Sequence, residues 1–169
     1  MLRLRHLAPL FARHPTRCMK IVIGSDHGGY ELKTQLAAYL TELGHTPVDF
    51  GTHSVDPVDY PDFAFLVAAA VAKGEFSVGI IIDGAGIGSA IVANKVPGVR
   101  ASLCNDLFAA RNAREHNHAN VLTLGSRIVG SGLAKEIVKT WIGTAPDPRH
   151  ARRIQKIQDL ETQLYRLNS

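Results

Sequence analysis

The chain has only two cysteines in 169 residues, Cys18 and Cys104, so at most one disulfide can form. That excludes a disulfide-stapled secreted scaffold and a cysteine-rich zinc module. Both thiols read as reduced cysteines of a cytoplasmic protein. No apolar run reaches the roughly 20 residues that span a bilayer, so no membrane partner is expected. There is no internal repeat of 20–50 residues and no low-complexity tract. Nucleotide fingerprints are missing as well. The pattern G-x-G-x-x-G counted from Gly84 needs glycine where Ser89 stands, and counted from Gly86 it needs glycine where Ile91 stands. No Walker lysine follows either. Asp26, His27, His53 and His116 lack the close spacing of a zinc site, so neither metal nor cofactor is expected.

The net charge of +4 would suggest nucleic acid if it were spread over the fold. It is not spread. Residues 1–18 hold four of the 19 basic residues and no acid, so 15 basic residues face 15 acidic ones in the remainder. A neutral body argues against a nucleic-acid-binding face. The leader 1–18 is read as a disordered tail or mis-called start, with a targeting segment and an amphipathic docking peptide as alternatives. The domain proper is expected over 19–169, a single core by length.

What the chain does contain is alternation. "KIVIGSD" from Lys20 is a β-branched run, and "YELKTQLAAYLTELG" follows with Leu32, Leu36, Leu40 and Leu43 on one helical stripe and Gly44 as a stop. The pair recurs as "TPVDFG" and "DFAFLVAAAVAKG", "VGIIIDG" and "SAIVANK", "RASLCN" and "DLFAARNAREHN", then "VLTLGS" and "GLAKEIVKTWIG". Five such units predict an α/β fold, a Rossmann-like three-layer sandwich with a five-stranded parallel sheet. The strands are continuous apolar runs, as burial on both faces requires. An extra C-terminal helix is expected from about Arg149 to Leu167, with Ile154, Ile157, Leu160, Leu164 and Leu167 on one side. Having no strand of its own to cover, it is a candidate subunit contact.

In open parallel sheets the ligand lies beyond the carboxyl ends of the strands. The residues just after each strand are polar: Asp26 and His27 after the first, His53 after the second, Asp83 with Gly84, Gly86 and Gly88 after the third, Asn105 and Asp106 after the fourth, Arg127 after the fifth. Glycines between strand and helix let backbone N–H groups approach an anion. An acid closing the apolar run Ile80–Ile82 is unusual, and a helix cap is its simplest use. His116 and Asn117 end a helix, where a histidine can simply answer the helix dipole. Arg149 and Arg153, four apart, can clamp a phosphate from one helix face or form a solvated basic face.

Taken together, "IGSDHGGYELK", "DYPDFA", "GAGIGSAIVANKVPGVRA", "HNHANVLTLGSR" and "PRHARRI" resemble the ribose-5-phosphate isomerase type B proteins, relatives of the galactose-6-phosphate isomerase subunits. The resemblance runs from Met19 to the last helix. It implies a homodimer or tetramer with active sites between subunits, and a metal-free aldose–ketose isomerisation of a sugar phosphate. It implies ring opening helped by His116, catalytic Asp26, an enediolate held on the Gly84, Gly86 and Gly88 loop, and sugar hydroxyls met by Asn117. Phosphate would be gripped by Arg127, Arg149 and Arg153, with His27 nearby.

The chain also departs from that pattern. One branch of the family carries its base as cysteine at the position of Asp83, another as glutamate at the position of Ser89, and a hydroxyl residue is usual where Ala85 stands. Asp83 is therefore either a substituted catalytic base or a substrate ligand in a relative with altered or absent catalysis.

Overall fold

The computed structural model describes residues 18–168, so the leader expected over 1–18 lies outside the described residues but for Cys18. Five strands, β1 (Lys20–Ser25), β2 (Thr46–Asp49), β3 (Val78–Asp83), β4 (Ala101–Leu103) and β5 (Val121–Gly125), form one sheet in the order β2-β1-β3-β5-β4. Every pairing is parallel. The helices are α1 (Tyr30–Glu42), α2 (Tyr60–Ala72), α3 (Ile87–Ala93), α4 (Leu107–Glu115), α5 (Ser131–Gly143) and α6 (Ala151–Asn168). Short 3-10 turns at His27–Gly29 and Pro148–His150 precede α1 and α6.

The strands' period of two divides the core. Ile21, Ile23, Ile80, Ile82, Leu122 and Leu124 face α1, α4 and α5, where Trp141 is fully buried. Val22, Ile81 and Val121 face α2 and α3, against Ala64, Val67 and Ala68. Side chains that alternate between two apolar layers explain why β1, β3 and β5 read as unbroken runs, whereas the edge strands β2 and β4 are at most half-buried, with a neighbour on one side only. Helix ends follow local chemistry: Gly44, at φ +84°, lets the chain turn out of α1, and Asp106 accepts from the Ala109 amide at 2.8 Å to start α4.

The strand order places a topological switch between β1 and β3. The chain leaves β1 toward β2 on one side, and leaves β3 toward β5 and β4 on the other, opening a crevice at their carboxyl ends. Along α6, Ile154 is buried but Leu160 and Leu164 are each 59% exposed, so one copy of the chain leaves most of that stripe uncovered. Among the described residues no helix is long and apolar enough to cross a membrane.

Candidate active site

Asp83 ends β3 and organises the turn that follows it. Its Oδ1 accepts from the amides of Ala85, at 2.8 Å, and Gly86. Its Oδ2 accepts from the Ser89 amide at 3.0 Å and the Ser89 hydroxyl at 2.5 Å. Both residues are buried. The turn needs glycine where it is tightest. Gly86 has φ +77°, and a Cβ there would lie 2.5 Å from Leu103 and 2.8 Å from the Leu124 carbonyl carbon.

Three loops are stitched together around this turn. The Asp26 amide donates to the Ile82 carbonyl at 3.3 Å, and the Ser126 hydroxyl donates to the Gly28 carbonyl at 2.7 Å. The Ser126 and Arg127 amides donate to the carbonyls of Asp83 and Gly84 at 2.8 and 3.1 Å. Asp26 accepts from the Gly29 amide at 2.9 Å, and His27 Nδ1 lies 3.2 Å from both the amide and the carbonyl of Val58. Asp26, His27, Gly84, Gly86, Gly88 and Arg127 thus share one rim with Asp83. Tyr60 borders it, since a Cβ on Gly88 would come 2.6 Å from the phenol ring.

The remaining predicted residues lie elsewhere. α4 runs back from the carboxyl end of β4, so its C-terminus, with His116 and Asn117, reaches the amino end of β5. The hydrogen bonds fix that end: the Gly79 amide, near the start of β3, donates to Asn120, and Arg100, just before β4, donates to the carbonyls of Asn117 and His118 at 3.2 and 2.9 Å. Here the His116 and His150 rings stack at 4.1 Å with an interplanar angle of 22°. Asp147 chelates Arg149 through Nε at 2.7 Å and Nη2 at 2.5 Å, and Arg153 Nη1 comes within 3.5 Å of His150 Nδ1. Arg149 holds the Asp147 carboxyl down to about 2.

The length of β3, roughly 17–20 Å, therefore separates the Asp83 rim from His116, Asn117, Arg149 and Arg153. A single chain thus presents the predicted residues as two clusters at opposite ends of its sheet. Among the described residues no group of three metal-ligating side chains comes together.

Sequence reasoning missed several contributors. Lys33 is fully buried and donates to both Asp49 carboxylate oxygens, at 2.7 and 2.6 Å, and to the Thr52 carbonyl at 2.6 Å. The loop it holds exchanges two 2.6 Å backbone bonds with Ser25, directly under Asp26. His118, at φ +49°, donates from Nε2 to the Asp147 carbonyl at 2.9 Å and ties the two segments of the second cluster together. His53, by contrast, is largely exposed, 3.8 Å from Asp49.

Comparison with known proteins agrees with this architecture. A family profile described as Ribose/Galactose Isomerase matches residues 21–157. Ribose-5-phosphate isomerase B of Escherichia coli K12 is 46% identical over 143 residues, covering 84% of this chain and 96% of that protein. The solved ribose-5-phosphate isomerase B of Clostridium thermocellum is 52% identical at a TM-score of 0.84, covering 86% of this chain and 99% of that one. The Mycoplasma genitalium protein of the same name, solved with bound ribulose-5-phosphate, is 42% identical at 0.82, covering 85% and 96%. This chain belongs to the ribose/galactose isomerase family, as an isomerase of the ribose-5-phosphate isomerase B type.

Proposed function

We propose that this chain interconverts ribose 5-phosphate and ribulose 5-phosphate through an enediolate, at a site completed by a second copy of itself. The observation that carries this reading is the pair of half-sites. One holds an acid, a glycine turn and an arginine, and the other holds a histidine, an asparagine and two arginines. Neither half alone can anchor a phosphate, open a sugar ring and move a proton between adjacent carbons.

In the joined site, Arg149 and Arg153 of one copy, with Arg127 and His27 of the other, hold the phosphate and fix the sugar's reach. His116 exchanges a proton with the ring oxygen, and Asn117 orients the hydroxyls of the opened chain. Asp83 takes the C2 proton and returns it to C1. The amides of Ala85, Gly86 and Ser89 are committed to Asp83, which leaves those of Gly84, Ile87 and Gly88 to meet the enediolate oxygen. Of the donors on Asp83, three are backbone amides fixed by the turn. Only the Ser89 hydroxyl can rotate away, so Oδ2 is the oxygen that receives the proton.

The same donors favour one other reading, in which Asp83 solely shapes the turn, in a relative that binds sugar phosphate with altered or absent catalysis. Incubating purified protein with ribose 5-phosphate and following ketose formation by NMR separates the two. Ketose formation is the expected result, and substrate binding without any conversion sinks the isomerase reading. Light scattering tests the second copy, and a monomer at catalytic concentration contradicts it.

A further inference from the structure

The stacked histidines at the second half-site hold a feature that the proposed chemistry does not use. His150 follows Arg149 in the turn before α6, on a segment pinned from both sides: the Asp147 amide donates to the Glu115 carbonyl at 2.9 Å, and His118 donates to Asp147. This anchoring brings the His150 ring flat against that of His116, at 4.1 Å.

Facing the pair are Glu115 from the end of α4, His118 from the loop after it, Asp147 and Arg149 from the linker, and Arg153 from α6. Desolvation, then His116, then Arg153 hold His150 below the ordinary histidine value. Asp147 acts in the opposite sense, and Arg149 adds to the lowering.

We propose that His150 is a positioning residue for His116: its stacked ring fixes the plane in which His116 meets the sugar ring oxygen. The proposal rests on His116 acting in ring opening, and it predicts a defect confined to that step.

The test uses the full-length protein and two reactions. Turnover of ribose 5-phosphate requires ring opening. Exchange of solvent deuterium into C1 of ribulose 5-phosphate does not, because its C5 oxygen is esterified and cannot close on C2. His150→Ala should lower kcat for ribose 5-phosphate by about tenfold or more, the scale of a misoriented catalytic group, with KM little changed. Its exchange rate with ribulose 5-phosphate should match that of the unaltered protein. His150→Phe keeps a flat ring at the same place and should recover most of the lost turnover.

Unchanged turnover in His150→Ala overturns the proposal. So does an equal fall in both reactions, which marks a general structural defect, or a Phe variant as poor as the Ala one, which removes the stack from the explanation. Failure of the underlying reading shows elsewhere. An unaltered protein that converts no ribose 5-phosphate, or a His116→Ala variant with full turnover, overturns both claims.

Discussion

The Ser89 hydroxyl donates to Asp83 Oδ2 at 2.5 Å, with both side chains buried. The two positions at which the family resemblance places a base, cysteine or glutamate, are joined here in one hydrogen bond. The carboxylate holds the turn and, in the proposed mechanism, also moves the proton.

Those two tasks separate on substitution. Asp83→Asn removes the basicity, and kcat should fall by ~10²–10⁴ while KM changes little. It also sets an amide N–H₂ against backbone donors, for a stability cost of about 1–3 kcal/mol. Asp83→Cys restores a proton acceptor at that position and should be more active than Asp83→Asn. Steady-state kinetics with urea unfolding of each variant checks all three points, and full turnover in Asp83→Asn removes Asp83 from the mechanism.

The arginines of the second half-site should act on binding. Arg149→Ala or Arg153→Ala should raise KM for the phosphorylated sugar by about tenfold or more, each losing a charge-assisted contact. Unphosphorylated sugar should respond to neither change. If both variants keep the original KM, the run is a solvated helix face.

Asp147 keeps Arg149 in place over a wide range of pH. Its carboxyl is lowered from 3.8 to about 2 by the Arg149 hydrogen bonds. A depressed acid contributes its stabilisation fully above its ordinary value and loses it as pH falls through the lowered one. The Asp147–Arg149 pair should therefore be intact above pH 4 and half open near pH 2, read as a carboxyl ¹³C titration. A midpoint at the ordinary value would falsify the pairing in solution.

The Lys33–Asp49 pair should respond asymmetrically. Lys33→Met leaves behind an Asp49 side chain that is 39% exposed and can be hydrated. Asp49→Ala strands a fully buried ammonium with the Thr52 carbonyl as its remaining hydrogen-bond acceptor, and should cost about 3 kcal/mol or more. Urea unfolding should rank Asp49→Ala as the less stable variant, and the reverse order would contradict the pairing.

The two thiols should differ as well. Burial pushes the Cys104 thiol up, with Asp106 adding and the Ser102 hydrogen bond opposing, and Cys18 is exposed. A thiol-specific reagent at neutral pH should label one cysteine in the folded protein and two after denaturation.

The sheet was legible because its strands are short apolar runs closed by polar residues. The same signal marked Asp83, an acid where Ile80–Ile82 predicts more core. Lys33 was not legible. It sits beside Leu32 in a helix whose stripe was read from leucines, and a lysine there looks solvated until Asp49, from another element, is folded against it. The His116–His150 stack depends in the same way on two segments meeting across 34 positions of chain. The separation of the half-sites could have been reasoned out. A helix between parallel strands always ends at their amino edge, so His116 could never reach Asp83 within one chain. The family resemblance assigns both to one site, and only topology divides them.

That division gives the enzyme a genetics of its own. A chain disabled at Asp83 still carries a sound His116 half, and a chain disabled at His116 still carries a sound Asp83 half. Each protein alone would be inert. In the proposed dimer with shared sites, co-refolding equal amounts should pair unlike chains in half of the dimers, each with one working site of two, so roughly a quarter of full activity should return from two dead proteins.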